Sequence, residues 1–486
     1  MKALIALSAS FAAIGCATGG LVGTGDQRAI SPQVAQQAAQ QHPQIVQEFG
    51  GELGGQRGAY VQEVGRRIGA QSGIQGAGTG GYNFTALNSP VMNAFAVPGG
   101  YIYITRQLMA LMNDEAELAS VLGHEVGHVA ADHARGRQQR GILTQLGALA
   151  VGVLTGSGQL AQIAGTVGQG VLNTYSQAQE FESDALGIRY MTAAGYDPMA
   201  SPSMLASLGA HSALEARFTG RQDDQRATPS WARTHPLSAD RVARATQQAQ
   251  ATGRAGQGER NRDRHLQMIS GMIFDDDPAQ GVIEGRDFLH PDLRLAFTVP
   301  QGFGMQNGTR AVAVIGQSGQ AQFSTGPFQG NLGTYIGQVF QGLTGGQGQA
   351  QVPQVQSTTV NGIPAAFATT RAQTQQGQVD VTVFAYQFEN NRAYHFVTLT
   401  QAGTGLGPFS SMVQSVRRLT AQQAAAIRPR VVQIVTVGAN DTVQSLANRM
   451  AYTEHQVDRF RVLNALGPND GVRAGQRVKL VVYGNR

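Results

Sequence analysis

The stretch from residue 119 to residue 130 constrains this chain more than any other, because it places His124 and His128 four residues apart in a helical pattern. Side chains at positions i and i+4 lie on the same face of a helix. Two imidazoles at this spacing can bind one zinc ion, and Glu125 beside them can take a proton from an attacking water molecule. The pattern therefore predicts a zinc site with its own general base, as in a zinc metallopeptidase.

A third ligand is expected further along the chain, where Glu180 and Asp184 are again four residues apart on a predicted helix. Glu180 can complete a site of two histidines and one glutamate, which leaves the fourth position for water. Asp184 is one helical turn away and can hold the free ring nitrogen of a ligating histidine, the best candidate being His124. Such acidic pairs are usually a solvated helix face. Their place after the His124–His128 helix favours the metal-site interpretation here.

The ends of the histidine helix can also be predicted from the sequence. Asp114 is expected to cap it, with Glu117 completing a capping box, and the helix is expected to run to about His133. The residues between His124 and His133 lack the pattern of a three-histidine metzincin site. We therefore interpret His133 as a surface residue or as a residue behind the ligands, not as a ligand.

Two extended runs precede this helix and flank the sequence Pro98-Gly99-Gly100, which predicts a β-hairpin. Asn93 and Ala94 stand at the start of the first run. The hairpin can be purely structural. It can also offer an edge to which an extended peptide substrate adds by backbone hydrogen bonds.

The N-terminus has the pattern of a secretory signal followed by the only cysteine of the chain, Cys16. The tetrad Ala13-Ile14-Gly15-Cys16 resembles a bacterial lipobox, whose cysteine carries lipid in the mature protein. Ordinary signal cleavage with an incidental cysteine is the alternative. Because Ala17 stands where an aspartate would favour inner-membrane retention, we expect a periplasmic protein that is anchored to the outer membrane.

Composition excludes several kinds of site and partner. Charged residues make up 14% of the 486 residues and the formal net charge is +5, with no long basic block, so we expect no nucleic-acid partner. Since Cys16 has no second cysteine to pair with, neither a disulfide framework nor a thiolate metal site is expected in the mature protein.

The rest of the chain shows weaker patterns. Residues 141–176 are apolar and rich in glycine, and we interpret them as a helical hairpin that is buried, or that lies against a membrane or partner. Residues 275–277 are three aspartates without EF-hand spacing, which indicates a solvated turn and not a calcium site. Alternating strands between about residues 288 and 419 predict an antiparallel α+β domain that weakly resembles PsbP-like folds. The last 55 or so residues resemble a LysM module, a strand–helix–helix–strand unit that commonly binds peptidoglycan but that can also serve only for packing.

Four motifs, taken in order, resemble the motif set of the HtpX and CAAX-prenyl-protease type of zinc peptidases, which are gluzincins, and the periplasmic lipoprotein branch in particular. The resemblance covers about residues 30–250 and rests on residues 93–100, 124–128, 180–187 and 234–236. It implies endopeptidase activity with one zinc ion per chain. The implied ligands are His124, His128 and Glu180, and the implied general base is Glu125.

The resemblance also implies that His235 and Arg241 lie near the metal. His235 would stabilise the oxyanion, or occupy the open coordination position in a resting state. Otherwise it is simply the residue at a helix entry before Pro236. The chain departs from the membrane-embedded members of the family because its sequence shows no transmembrane segments.

We therefore expect an α+β multidomain protein. The predicted parts are a signal peptide at 1–15, a tether at 16–30, a mainly helical zinc metallopeptidase domain with a small sheet at 31–255, a linker and short helix at 256–285, an antiparallel α+β domain at 286–422 and a LysM-like module at 430–486. The predicted function is a zinc endopeptidase that cleaves misfolded or unassembled envelope proteins. The alternative is a cell-wall-associated chaperone or assembly factor with a latent or inactive metal site.

Overall fold

The computed structural model describes residues 21–22, 28–75, 81–133, 175–219, 231, 235–236, 239–343, 353–374 and 377–485. Across these residues the protein is of the α+β class, with a helical N-terminal region and a small sheet before a large antiparallel sheet. The expected fold class is confirmed at this level. Cys16 and nearly all of the predicted hairpin at 141–176 lie outside the described residues.

The N-terminal region is mainly helical, as predicted. Its described helices are α1 Pro32–Glu48, α2 Gly55–Gly69, α3 Arg106–Leu111, α4 Glu115–Ala130, α5 Gln177–Ala193, α6 Ala200–Thr219 and α7 Ala239–Ala251. A glycine-containing loop separates α1 from α2. In α2 the apolar residues recur at three- and four-residue steps and face the core.

Short strands lie among these helices. Strands β1 Leu21–Val22 and β2 Ala29–Ile30 pair with each other. Strands β3 Asn83–Leu87, β4 Ala94–Val97 and β5 Tyr101–Thr105 form a sheet in the order β3-β5-β4. The predicted hairpin is confirmed, because β4 and β5 are antiparallel. Gly99 and Gly100 form its turn with positive φ angles of 98° and 81°, a conformation that glycine adopts without steric cost.

Helix α4 carries His124 and His128 through the main core, and all of its residues except Val129 are buried. The carboxylate of Asp114 accepts a hydrogen bond from the N–H of Glu117, so the predicted N-cap is confirmed. The capping box is wrong in one detail, since Glu117 Oε2 accepts from the N–H of Asn113 and not from that of the cap. The helix also ends three residues before His133, at Ala130.

The second half contains the large sheet and several shorter strands. The described strands between residues 273 and 418 are β6 Ile273–Phe274, β7 Val282–Glu284, β8 Asp287–His290, β9 Leu295–Thr298, β10 Gly304–Asn307, β11 Ala311–Gly316, β12 Gly319–Pro327, β13 Gln356–Val360, β14 Ile363–Thr374, β15 Gly377–Glu389, β16 Arg392–Gln401 and β17 Arg417–Arg418. Seven of them form an antiparallel sheet in the order β10-β11-β12-β16-β15-β14-β13, which confirms the predicted antiparallel pattern.

The described helices of the second half are α8 Arg262–Ile269, α9 Leu332–Leu343, α10 Ser410–Ser415 and α11 Ala421–Ala426. A short helix was expected within residues 256–285, and α8 lies there.

The C-terminal segment follows the predicted strand–helix–helix–strand order, with β18 Arg430–Thr436, α12 Val443–Ala447, α13 Gln456–Leu463 and β19 Arg477–Tyr483. Strand β18 pairs with β19 and also with β6. The fully buried ammonium of Lys479 donates hydrogen bonds of 2.7–2.9 Å to the carbonyls of Ala110, Leu111 and Met112 at the end of α3. This segment therefore packs directly against the helical region. Its likeness to LysM modules stays a prediction.

The acidic turn at residues 275–277 is half-buried and hydrogen-bonded to other parts of the chain, so the prediction of a solvated turn is only partly right. Oδ2 of Asp275 accepts hydrogen bonds from Tyr452 at 2.7 Å and from Arg430 at 3.4 Å. Its backbone carbonyl accepts one from the buried Arg106 at 2.7 Å. Because these partners lie in two different parts of the chain, the turn joins the C-terminal segment to the helical region.

None of the described helices combines the length and the apolar character that crossing a bilayer requires.

Candidate metal centre

The site depends on the close approach of α4 and α5, which glycines at the contact allow. A Cβ atom on Gly127 would lie 3.0 Å from the carbonyl oxygen of Ser183, and Gly123 faces Gly187 in the same way. Side chains at these positions would hold the two helix backbones apart. The sequence therefore brings the acidic residues of α5 within reach of the histidines of α4.

Four buried residues place one ligand atom each within 4.8 Å of one another: His124, His128, Glu180 and His235. His124 Nε2 lies 3.0 Å from His128 Nε2 and 3.1 Å from His235 Nδ1. Oε1 of Glu180 lies 3.0 Å from His235 Nδ1 and 3.4 Å from His128 Nε2. The structure thus brings together the residues that the sequence singled out from three separate segments.

This donor set fits a zinc ion. A tetrahedral zinc with bonds of about 2.0–2.1 Å separates its ligand atoms by roughly 3.3–3.4 Å. The donor atoms of the three imidazoles and the carboxylate are 3.0–3.4 Å apart in these pairs, close to that value. Imidazole nitrogens and carboxylate oxygens are also ordinary zinc ligands.

Asp184 and Arg241 fix His124 and Glu180 from the side opposite the cluster. Asp184 Oδ1 lies 2.9 Å from His124 Nδ1, the ring nitrogen that the sequence analysis assigned to it. Arg241 donates two hydrogen bonds to Asp184, at 2.7 and 2.9 Å, and its Nη1 lies 2.7 Å from Glu180 Oε2. The buried guanidinium therefore contacts both carboxylates at once.

Electrostatics keep the two carboxylates of α5 ionised. Burial raises the pKa of Glu180, but the charges of His235 and His124 outweigh burial and hold the pKa well below its usual range. Burial likewise raises the pKa of Asp184, and hydrogen bonds from His124 and Arg241 lower it by more. Both groups are therefore carboxylates at neutral pH, the form that a ligand and its hydrogen-bond partner require.

Glu125 is fully buried beside the cluster, and neither of its carboxylate oxygens has a hydrogen-bond partner among the described groups. Its Oε1 lies 3.5 Å from His235 Nε2. A buried carboxylate without hydrogen bonds is costly, and such groups are kept where chemistry needs them. Glu125 thus has the surroundings of an acid–base group and not of a structural one.

Two aromatic residues that the sequence analysis did not single out pack on the cluster. The ring of Tyr175 stacks on that of His128, with centroids 3.5 Å apart. Trp231 stacks on His235 with centroids 4.9 Å apart, and the guanidinium of Arg241 lies 5.4 Å from the Trp231 ring. Trp231 is the only tryptophan of the chain and stands four residues before His235. This four-residue spacing could have identified Trp231 from the sequence as a neighbour of His235.

The structure links the start of β4 to the same aromatic residue. The carbonyl of Met92 accepts a hydrogen bond from the backbone N–H of Trp231 at 3.2 Å. Asn93 is fully buried, and its side-chain amide has no hydrogen-bond partner within the described part of the chain. Ala94 begins β4, one of the two outer strands of the sheet. A role of Asn93 and Ala94 in substrate binding stays a prediction.

The helices, the paired histidines and the glutamate of the second helix define a zinc metallopeptidase domain. Residues 55–249 match the sequence model of Peptidase family M48, so this region of the chain is similar to that family. The match confirms the coarser part of the resemblance stated from the motifs. It leaves the lipoprotein branch and the LysM likeness as predictions.

Several named proteins are similar to this region. The "Beta-barrel assembly-enhancing protease" of Yersinia pestis is 34% identical over 178 residues, which are 35% of this chain and 34% of that protein. "Metalloprotease LoiP" of Escherichia coli is 29% identical over 175 residues, 35% of this chain and 64% of LoiP. "Mitochondrial metalloendopeptidase OMA1" of Arabidopsis thaliana is 32% identical over 124 residues, 25% of each chain. The chain thus spans about a third of the first of these relatives.

Proposed function

We propose that the whole chain is a zinc-dependent endopeptidase in which His124, His128 and Glu180 bind the metal and Glu125 is the general base. One observation carries the proposal: a zinc-compatible donor cluster has, directly beside it, a buried carboxylate whose oxygens have no hydrogen-bond partner among the described groups. Burial of the Glu125 carboxylate without hydrogen bonds costs folding free energy, and a site without catalytic function would not require that cost.

The chain's own residues supply the proton transfers of peptide hydrolysis. When bound, zinc supplies Lewis-acid chemistry that polarises the scissile carbonyl and acidifies water. A carboxylate oxygen of Glu125 accepts the proton of the attacking water and then delivers it to the nitrogen of the leaving amine. Asp184 and Arg241 keep the ring of His124 in one orientation throughout.

His235 has two roles open to it in this scheme. Its Nδ1 lies among the ligand atoms, 3.1 Å from His124 Nε2. This position supports a resting state in which His235 would hold the metal as a further ligand. With a substrate bound, the same imidazole would instead donate a hydrogen bond to the oxyanion that develops on the scissile carbonyl.

Protein substrates would bind in extended form along β4. As one of the two outer strands of its sheet, β4 can pair with a peptide backbone, and Asn93 and Ala94 lie at its start. We propose misfolded or unassembled envelope proteins as the substrates. Support comes from the name "Beta-barrel assembly-enhancing protease" of the relatives and from the lipobox-like sequence at Cys16.

We propose that the protein is located in the periplasm, where lipidated Cys16 anchors it to the outer membrane and residues 430–486 bind peptidoglycan. The signal pattern supports the first part. For the second part, the loops of the LysM-like segment around Ala439–Asn440 and Pro468–Asp470 are exposed, so a glycan could reach them. Sedimentation of the full chain with purified peptidoglycan tests this part separately.

Burial of the site favours a second candidate, an assembly factor whose metal site is latent. His124 is 5% exposed, and Glu125, His128 and His235 are 2% exposed or less. The rings of Tyr175 and Trp231 lie over the histidines. Casein digestion by the full chain separates the two candidates. The endopeptidase digests casein, stops when a chelator removes zinc and resumes when zinc is restored. A zinc-loaded chain that leaves casein intact supports the latent site.

A further inference from the structure

The end of α4 returns the chain to its second histidine. Asp132 has a φ of 55°, the left-handed conformation that closes a Schellman-type helix end. The N–H of Asp132 donates to the carbonyl of Val129 at 3.0 Å, and the N–H of His133 donates to the carbonyl of His128 at 3.1 Å. These two hydrogen bonds are the pair that defines the motif. They hold the backbone of His133 one turn beyond His128, with its ring beside that of His128.

The rings of these two histidines meet on the side away from the metal cluster. His133 Nδ1 lies 2.9 Å from His128 Nδ1, while His128 Nε2 faces the other ligand atoms. On its far side, His133 Nε2 lies 3.2 Å from Oε2 of Glu182. The hydroxyl of Ser183 lies 3.4 Å from His133 Nδ1. His133 is thus a buried connection between a predicted ligand and a carboxylate at the protein surface.

Hydrogen-bond chemistry gives this connection a direction. A neutral imidazole that presents Nε2 to a metal carries its hydrogen on Nδ1, so His128 donates and His133 Nδ1 accepts. Neutral His133 then carries its own hydrogen on Nε2 and donates it to Glu182. In this arrangement His128 carries its hydrogen on Nδ1, His133 carries its hydrogen on Nε2, and Glu182 is an ionised acceptor. The tautomer of each histidine is therefore fixed by the hydrogen bond to the next group.

We propose that His133 and Glu182 are positioning residues for the zinc site, which fix the tautomer and ring orientation of His128. The inference rests on the proposed function, because it concerns the same metal. Both histidines of α4 are then held from behind by residues of α5. Asp184 contacts His124 directly, at 2.9 Å, and Glu182 reaches His128 through His133.

Zinc affinity measures this role without reference to activity. The full chain is titrated against a chromophoric chelator as wild type, His133→Phe and His133→Asn. Residues that orient a metal-binding histidine typically contribute about 10- to 100-fold to metal affinity. We expect the Phe variant to lose affinity in that range. The Asn variant should recover most of the loss, because its amide oxygen can accept the hydrogen bond of His128 where Nδ1 stood.

Glu182→Gln is a second variant that leaves the buried rings in place, and Glu454→Gln, at an exposed position of the C-terminal segment, is its control. Since Glu182 is 60% exposed at its side chain, water partly replaces it, and we expect a loss of a few-fold only, with no loss in the control. Circular dichroism of each variant checks that it is folded.

The outcomes separate this inference from the proposed function. A wild-type chain that binds no zinc contradicts the proposed function itself. If the wild type binds zinc and folded His133→Phe binds it equally well, the zinc site stands and the positioning role is wrong. A loss in His133→Asn as large as that in His133→Phe also contradicts the role, because volume and not hydrogen bonding would then explain the effect. Should His133→Phe fail to fold, Glu182→Gln decides the question. A fall in its zinc affinity relative to Glu454→Gln supports the connection, and an unchanged affinity contradicts it.

Discussion

Gly187 lies so close to His124 that a single Cβ atom at residue 187 would stand 2.9 Å from the backbone nitrogen of His124. The same atom would lie 3.0 Å from the carbonyl carbon of Gly123. Both contacts are with backbone, which cannot rotate away as a side chain can. The separation of α4 and α5, and with it the distance from Glu180 to the histidines, is therefore set by the absence of a side chain at residue 187.

Gly187→Ala should accordingly damage both stability and the metal centre. Overpacking of this kind costs about 1–3 kcal/mol, and a shift of about 1 Å between catalytic groups can cost about 100-fold in rate. Gly209→Ala is the matched control, since a Cβ on this glycine of α6 would meet nothing within 4 Å. Thermal unfolding and zinc affinity of both variants test the expectation, which fails if Gly187→Ala behaves like Gly209→Ala.

Arg241→Gln should destabilise the fold strongly. The buried guanidinium contacts the carboxylates of Asp184 and Glu180, and its removal leaves two buried negative charges without their cation. Breaking a buried ion pair by removing one partner costs about 3–5 kcal/mol. Urea unfolding of the metal-free protein measures the loss. Arg241→Lys keeps the charge without the planar fork and should recover part of it. A Gln variant as stable as the wild type would show that the carboxylates do not need Arg241.

His265 should make the protein less stable in acid. Burial lowers the pKa of this histidine from 6.5 to about 3, and its ring contacts the hydroxyl of Tyr60 and the carbonyl of Met109. Since the unfolded chain binds the proton more tightly than the folded chain, stability is complete above pH 6.5 and falls as the pH drops towards 3.

The size of this effect follows from the shift in pKa, because each pH unit within that window costs about 1.4 kcal/mol per histidine. Urea unfolding of wild type and His265→Gln at several pH values between 4 and 7 tests it. The variant should lose less stability per pH unit than the wild type, whatever its stability at pH 7. Parallel curves would mean that His265 does not titrate on unfolding.

Lys479→Met should loosen the C-terminal segment from the helical region. The ammonium donates to three carbonyls at the end of α3, and methionine fills the space without any donor. A hydrogen bond to a charged group contributes about 1.5–3 kcal/mol, and unpaired carbonyls add to the cost. We expect a loss of at least that size in urea unfolding. Arg473→Met, at an exposed position, should change little. Equal effects of the two substitutions would contradict the anchoring role of Lys479.

Local spacing allowed much of the site to be predicted from the sequence. His124 and His128 share a helix face, as do Glu180 and Asp184, and such relations depend only on helical geometry. The contact between Asp184 and His124 followed from the chemistry of histidine ligands. The position of His235 near the metal came from the family resemblance, since residue numbering alone gives no distance between segments so far apart.

Other contacts could not be predicted because they depend on how distant segments pack. Asp275 was taken for part of a solvated turn, since its partners Arg430 and Tyr452 lie more than 150 residues away. His133 was placed on the surface or behind the ligands, and only the left-handed turn at Asp132 decides between the two. Glu117 accepts from the N–H of Asn113 and not from that of the cap, a choice between neighbouring donors that the sequence spacing does not decide.

The central claim is that Glu125 is the base of a zinc endopeptidase, and Glu125→Gln tests it most directly. Zinc content and casein cleavage are measured on the same full-length preparation, beside the wild type. We expect about one zinc ion per chain in both proteins and a rate of cleavage that falls by about 100- to 10,000-fold in the variant. Cleavage at the wild-type rate by the zinc-loaded variant would contradict the account.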